Sequence, residues 1–192
     1  MSDQAPRILP LPPEEWDERL TGLLKASPGG TDEPMHIFTT LARQPDLFRR
    51  WLGFGGALLG GTLSGRIREL VILRTAYRFN GRYEWAHHIE LGERQGITAT
   101  EIAVLGGDLS ALEWDPFERA VLSAVDETAD DGEVGDATWA TLAAHLNQSE
   151  LVELLMLLAH YLMLSTVLRS LRVQLEPSAE ALAQSVPGGP VA

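Results

Sequence analysis

Residues 64–88 read SGRIRELVILRTAYRFNGRYEWAHH and carry the clearest structural signal in the chain. Ser64 is a residue type that caps helices, and the apolar side chains after it recur at helical spacing. The pair Asn80-Gly81 then predicts a tight turn, and a second helical pattern begins at Arg82. This stretch therefore predicts two helices that fold back against each other.

The same pattern of helix starts and stops continues outside this stretch. Thr98 followed by Glu101 predicts a capping box, and Asp115 before Pro116 predicts another helix start. The glycine-rich residues 53–65 predict a break between helices. No segment alternates apolar and polar residues for long, as a half-buried strand would. The sequence thus predicts an all-α fold of about nine helices that ends in a long helix.

The chain has 192 residues, a length that fits one domain. We expect an N-terminal arm at residues 1–12, a single helical domain at residues 13–176 and a flexible tail at residues 177–192. Residues 151–168 are almost wholly apolar, yet they include Glu153 and His160. A helix that is apolar on every side predicts a buried core helix or an oligomer contact here, rather than a membrane span.

Composition excludes several classes of function. The 15 basic and 27 acidic residues give a net charge of −12, which opposes binding to nucleic acid and to anionic membranes. The chain has no cysteine, so disulfides, thiolate nucleophiles and cysteine metal sites are excluded. The first residues do not have the pattern of an export signal. A cytoplasmic location is therefore expected.

Acid/base chemistry is the strongest candidate in residues 64–88. Glu84 and His88 are four residues apart and share one helix face, and Glu69 on the preceding helix can meet that face. Two carboxyl groups and an imidazole in partly apolar surroundings form a workable set for proton transfer near neutral pH. The competing interpretation is that the same residues form ordinary ion pairs with structural roles.

The other histidines carry weaker signals. Glu84 and His87 match half of a carboxylate metal site, but the chain has no second copy of that motif. Neither a metal nor another cofactor is therefore expected. His160 and Tyr161 predict a polar pair inside the core, and His36 stands alone in the sequence.

The helix that contains Glu69, the Asn80-Gly81 turn and the string YEWAHH from Tyr83 to His88 together resemble the carboxymuconolactone decarboxylase family, within the alkylhydroperoxidase D-like superfamily. Redox members of that superfamily carry a Glu, a Cys-x-x-Cys pair and a His. Their spacing places Glu69 at the Glu and His88 at the His, with the cysteines at Gly81 and Glu84. The chain thus looks like a cysteine-less branch.

This resemblance implies an AhpD-like helical fold and a homo-oligomer, a trimer or a hexamer, with a site near the subunit contacts. The family's peroxide chemistry needs a thiolate, so a peroxiredoxin label would reach this chain by inheritance only. The resemblance leaves Glu69, Glu84 and His88 as catalytic candidates. The candidate substrate contacts are Arg66, Arg74, Arg82, Tyr83, Trp85 and His87.

Two classes of function follow from these observations. The first is a cofactor-free lyase, isomerase or hydrolase that acts on a small organic acid or lactone through proton transfer. The second is a helical oligomer or ligand-binding protein that kept the fold after losing the cysteines. In the second class, Glu69, Glu84 and His88 are hydrogen-bond partners that hold helices together.

Overall fold

The computed structural model describes residues 5–186 and 188–190. The first four residues of the predicted arm, and residues 187, 191 and 192 of the predicted tail, lie outside the described part. Within it the chain forms ten α-helices and two short 3₁₀ turns, and no strand. The all-α prediction is confirmed. The helices are α1 (Glu18–Lys25), α2 (His36–Leu41), α3 (Pro45–Leu59), α4 (Gly65–Arg78), α5 (Arg82–Arg94), α6 (Ala99–Leu105), α7 (Pro116–Asp131), α8 (Asp136–His145), α9 (Gln148–Leu171) and α10 (Pro177–Ser185).

Helix α4 lies at the centre of the fold. Its residues 70–73 are four consecutive aliphatic side chains, and all four are completely buried. Side chains that point in every direction around a helix can be buried only if other helices surround it. Helices α5, α7 and α9 form these surroundings. As a consequence, polar residues of α4 such as Glu69 and Arg74 are also carried into the interior.

Helices α4 and α5 are joined by the predicted turn. The Ser64 hydroxyl accepts a hydrogen bond from the Ile67 amide and so caps the start of α4. At the other end Asn80 adopts a left-handed conformation with φ of 54°, which asparagine tolerates better than most residues. The Gly81 amide then donates to the Ala76 carbonyl. These bonds fold α5 back along α4.

The break between helices that was predicted at the glycine-rich residues 53–65 begins later, after Leu59. Helix α3 runs from Pro45 through Gly53, Gly55 and Gly56 as far as Leu59. Each glycine costs a helix interior about 1 kcal/mol relative to alanine. Burial of Leu58 in the core offsets part of that cost, because a buried leucine stabilises by about 1.5–3 kcal/mol. Tertiary packing therefore extends this helix beyond its local propensity.

Helix α9 is the long helix that the apolar run predicted. It begins at a capping box formed by Asn147 and Glu150. Its length and composition alone would allow it to cross a membrane, but half of its most apolar window is buried inside the protein. It packs against α3, α4, α5 and α8. Its outer face exposes Val152, Met156 and Met163.

The prediction of a flexible tail from residue 177 is wrong for residues 177–185, which form helix α10 on the surface of α5. Pro177 occupies the first turn of the helix, where proline is tolerated. Ala179 is buried, and Glu180 forms an ion pair with Arg82 of α5. The tail is thus ordered by distant partners that its own composition does not reveal.

Candidate functional site

Glu69 and His88 form a buried dyad between α4 and α5. The Oε2 atom of Glu69 lies 2.7 Å from Nδ1 of His88, and both residues are buried. A carboxylate beside Nδ1 accepts the proton on that nitrogen, which leaves Nε2 as a hydrogen-bond acceptor. The turn at Asn80 brings the two helices into the register that makes this contact. The dyad thus has one oriented tautomer.

Tyr161 of α9 extends the dyad to three residues. Its hydroxyl lies 3.2 Å from Nε2 of His88, and the two rings meet edge to face. Burial, together with the carboxyl groups of Glu69 and Glu84, raises the pKa of Tyr161 well above its usual range. Tyr161 therefore remains protonated and donates to His88. A phenol, an imidazole and a carboxylate form one continuous hydrogen-bonded chain.

His160 and Tyr161 are both buried in the core, as predicted, and their rings meet edge to face, but no hydrogen bond joins them. Because Tyr161 is turned toward His88, His160 packs instead among aromatic rings, stacked on Trp51 and edge-on to Phe54. Its Nδ1 atom is buried and has no hydrogen-bond partner among the described residues. Burial lowers the pKa of His160 to about 4, so it is neutral at physiological pH.

Glu84 lies one helical turn before His88 and is only 3% exposed. Neither of its carboxyl oxygens has a hydrogen-bond partner in the part of the chain that is described. Burial raises the pKa of Glu84 to about 7, because a desolvated carboxyl group favours its neutral form. The site therefore contains a carboxylic acid that changes its charge near neutral pH, which is a property suited to general acid/base chemistry.

Gly81 determines the space beside Glu84. A side chain at Gly81 would place its Cβ 2.2 Å from the Ser165 hydroxyl oxygen and 2.8 Å from Oε2 of Glu84. Both distances are too short for real contacts, so this position requires glycine. The Ser165 hydroxyl is also buried without a partner among the described residues. The Glu84 carboxyl group and the Ser165 hydroxyl thus both lie next to Gly81, and neither has a hydrogen-bond partner among the described residues.

Tyr83 and His87 occupy a different face of α5 and belong to a second cluster. Tyr83 donates to Oε1 of Glu176 at 2.7 Å, and Nε2 of His87 lies 2.7 Å from Oε2 of the same carboxylate. The His36 amide also donates to Glu176. Burial alone would raise the pKa of Glu176, but these hydrogen bonds outweigh it and lower that pKa to about 2.

This cluster holds two of the candidate substrate contacts away from the dyad. Tyr83 and His87 bind the segment that leads into α10 and do not face Glu69 and His88, so the structure does not place them as substrate contacts beside the dyad. His36, which carried no signal in the sequence, shares their carboxylate. Glu176 itself escaped sequence reasoning, because it lies in a stretch without helical periodicity.

The arginines predicted to hold an anion have structural roles. Arg66 binds Glu118, Glu101 and the Gly96 carbonyl, which joins α4 to α6 and α7. Arg74 is buried and binds Asp126 through two nitrogens, with further bonds to two carbonyls near the end of α6. Because their donors already have protein partners, these arginines lack the free hydrogen-bonding capacity that a substrate would need.

The remaining candidates are also placed by packing. Arg82 is paired with Glu180. Trp85 is completely buried in the core, and its Nε1 atom lies beside Gly189. Among the described residues no group of three or more histidine, aspartate and glutamate side chains is placed to hold a metal ion. His87 in particular is bonded to Glu176, so it does not form a ligand pair with Glu84.

One segment of the chain matches the model of a known protein family. Residues 45–127 match the model of the carboxymuconolactone decarboxylase family, a segment that contains Glu69, Gly81, Glu84 and His88. No curated protein matches the chain.

Solved structures share the whole fold. An alkylhydroperoxidase AhpD core protein from Ralstonia eutropha JMP134, described as an uncharacterized peroxidase-related protein, has a TM-score of 0.79 at 16% identity and covers 94% of this chain and 98% of its own. A peroxidase-related protein from Silicibacter sp. TM1040 has a TM-score of 0.79 at 11% identity, with 93% and 96% covered. The debrominase Bmp8 has a TM-score of 0.78 at 13% identity, with 93% and 97% covered.

Similarities at this level of identity show the fold, and the family model adds the segment that contains the dyad. The resemblance seen in the sequence is confirmed. The chain is free of cysteine, has the AhpD-like helical fold, and matches the carboxymuconolactone decarboxylase family model over residues 45–127.

Proposed function

We propose that this protein is an acid/base enzyme that transfers a proton within a small organic acid or lactone. The observation that carries the proposal is Glu84, a buried acid whose two oxygens have no partner among the described residues. An unsatisfied buried carboxyl group costs stability. Buried groups whose pKa is moved toward neutrality are concentrated at functional sites.

The roles follow from the hydrogen bonds. Glu84 takes a proton from the carbon next to a carbonyl group, and the electron pair of that C–H bond moves onto the carbonyl oxygen. The Tyr161 hydroxyl stabilises the resulting negative charge. His88, held by Glu69 in one tautomer, orients the Tyr161 hydroxyl, which turns its single proton from Nε2 of His88 to the carbonyl oxygen during the step and turns back afterwards. Glu84 returns its proton to the product, so the cycle balances without an oxidant or a reductant.

A thiol-dependent peroxidase activity does not fit this chain. A thiolate is the group that attacks a peroxide in that chemistry, and the sequence contains no cysteine. The positions that the resemblance assigns to the two cysteines are Gly81 and Glu84. The first must remain glycine because of its contacts, and the second supplies a carboxyl group.

The second candidate function is a non-catalytic oligomer or ligand-binding protein, and one observation favours it. Glu69, His88 and Tyr161 satisfy one another, as members of a structural network would. That interpretation leaves Glu84 unexplained, because a purely structural site has no reason to retain a buried acid without a partner. We therefore prefer the enzyme.

The experiment follows exchange of carbon-bound hydrogen in heavy water. The protein is incubated with a panel of small keto acids and lactones, and NMR records the loss of proton signal next to each carbonyl. We expect one or more compounds to exchange, and Glu84→Gln and His88→Ala each to slow exchange by about 10²–10⁴-fold. Glu90→Gln, a change on the exposed surface of α5, is the matched control. Absence of exchange across the panel, or exchange that survives both substitutions, would favour the second candidate.

We also propose that the protein is a homo-oligomer. The supporting observation is an apolar outer surface on α3 and α9 that includes Phe54, Leu59, Val152, Met156 and Met163. Contiguous exposed apolar side chains commonly mark a protein interface. Light scattering at micromolar concentration should report a particle larger than 21.0 kDa. A monomer would contradict this proposal and leave the acid/base site unaffected.

A further inference from the structure

Arg68 differs from its neighbours Arg66 and Arg74 on the same helix. Those two arginines make four hydrogen bonds each. Arg68 makes an ionic contact of 3.7 Å to Oε1 of Glu69, and its buried Nε atom has no hydrogen-bond partner among the described residues. The side chain is 17% exposed. Its guanidinium thus lies at the edge of the dyad with donors that the protein leaves unused.

The carboxylates near Arg68 are already engaged. Oε2 of Glu69 is bonded to His88. Glu153 of α9 accepts hydrogen bonds from the Thr62 amide and hydroxyl and from the Leu63 amide, at 2.6–3.0 Å. A planar guanidinium pairs best with a carboxylate that accepts two parallel bonds. Neither neighbouring carboxylate is free to do so.

The positive charge of Arg68 acts electrostatically on Tyr161, the last residue of the hydrogen-bonded network Glu69–His88–Tyr161. Arg68 opposes the rise in the pKa of Tyr161 and contributes to the lowered pKa of Glu153. The geometric contact that places Arg68 at the dyad is the 3.7 Å approach of its Nε atom to Oε1 of Glu69. An anion held by the guanidinium would lie next to Glu69, at the edge of the dyad.

We propose that Arg68 binds the carboxylate of the substrate, so that the substrates are small monocarboxylic acids. This inference rests on the proposed function, for which it supplies the substrate class. The Glu69 carboxylate contacts the guanidinium, and the chain carries a net charge of −12. This field disfavours a dianion such as phosphate more than a singly charged carboxylate. Arg68 is thereby a binding residue for the carboxylate of the substrate.

The test measures binding and does not depend on turnover. Isothermal titration at pH 7 uses benzoate and pyruvate as probes, with benzamide and pyruvamide as neutral counterparts and inorganic phosphate as the competing anion. We expect at least one carboxylate to bind and its amide to bind at least tenfold more weakly. The Arg68→Gln substitution should lower the affinity for that carboxylate at least tenfold. Arg68→Lys should recover part of the affinity as a point charge. Arg78→Gln, which lies farther along α4 and pairs with Asp126 and Asp130, is the matched control.

A second measurement on the unaltered protein removes dependence on the variants. Phenylglyoxal modifies accessible arginines, and mass mapping then reports the rate at each position. The bound carboxylate should protect Arg68 at least threefold and leave Arg78 unprotected.

The proposal fails if neither carboxylate binds, if the amides or phosphate bind as well as the carboxylates, or if Arg68 is not protected. Binding that depends on Arg68 without any hydrogen exchange would keep this site and overturn only the proposed enzyme.

Discussion

Replacement of Glu84 by glutamine should change how the stability of the protein depends on pH. In the unfolded chain this carboxyl group has a pKa near 4.5, and in the folded protein its burial raises the pKa to about 7. Between these two values the folded protein holds a proton that the unfolded chain has released. The free energy of unfolding therefore falls as the pH rises through this window.

The gap between the two pKa values sets the magnitude. At 1.36 kcal/mol for each pH unit, the ionised Glu84 costs the folded protein about 3 kcal/mol above pH 7. Glutamine has nearly the same shape and no charge at any pH. The free energy of unfolding of the variant, relative to that of the natural protein, should therefore rise by about 3 kcal/mol between pH 4.5 and pH 8. This difference is equivalent to roughly 6–12 °C in melting temperature for a chain of this size.

Urea unfolding of both proteins at half-unit steps from pH 4.5 to pH 8 measures this difference directly. Subtracting the free energy of unfolding of the natural protein from that of the variant at each pH removes the contribution of every titrating group that the two proteins share. The Glu90→Gln variant, whose side chain is 62% exposed, should show a difference that stays flat across the range. A Glu84→Gln difference that changes by less than about 1 kcal/mol would refute the account of Glu84 as a buried acid without partners, and with it the main support for the enzyme.

Three further outcomes are expected. The protein should not turn over peroxide with a thiol or dihydrolipoyl donor in a coupled assay; turnover in metal-free protein would reveal a chemistry that needs no cysteine. Arg74→Met should lower the free energy of unfolding by about 1–3 kcal/mol, because the carbonyls of Leu105 and Gly107 lose their donor while Asp126 keeps Arg78, and should leave carboxylate binding by the folded protein unchanged in titration. Glu176→Gln should cost about 1–3 kcal/mol in urea unfolding and should speed limited proteolysis after residue 172; equal digestion rates would show that other contacts hold α10.

Local signals in the sequence predicted the helices well, because each signal and its effect lie within a few residues. The Thr98–Glu101 capping box and the Asp115 cap occur as the residue types require. The break predicted at residues 53–65 failed for the opposite reason. Burial of Leu58 by distant helices outweighs the low helix propensity of the glycines beside it.

The candidate site was predictable where helical spacing controls it and unpredictable where partners are distant. Glu84 and His88 lie one turn apart on one helix, and the short turn at Asn80 brings Glu69 to them. The partners of the candidate arginines were not predictable, because Arg66 and Arg74 bind acidic residues 52 positions farther along the chain. No residue of helix α4 indicates which acidic residues these arginines will bind.

The junction at Glu176 bears on how the chain folds. This carboxylate joins His36, 140 residues earlier, to His87, 89 residues earlier. Closing loops of that size has an entropic cost that local contacts do not have. Long-range contacts such as those of Glu176 therefore tend to form after the transition state for folding has passed. Loss of the junction should then accelerate unfolding while the refolding rate stays nearly constant. The lifetime of the folded protein, more than the speed of its formation, would depend on this single side chain.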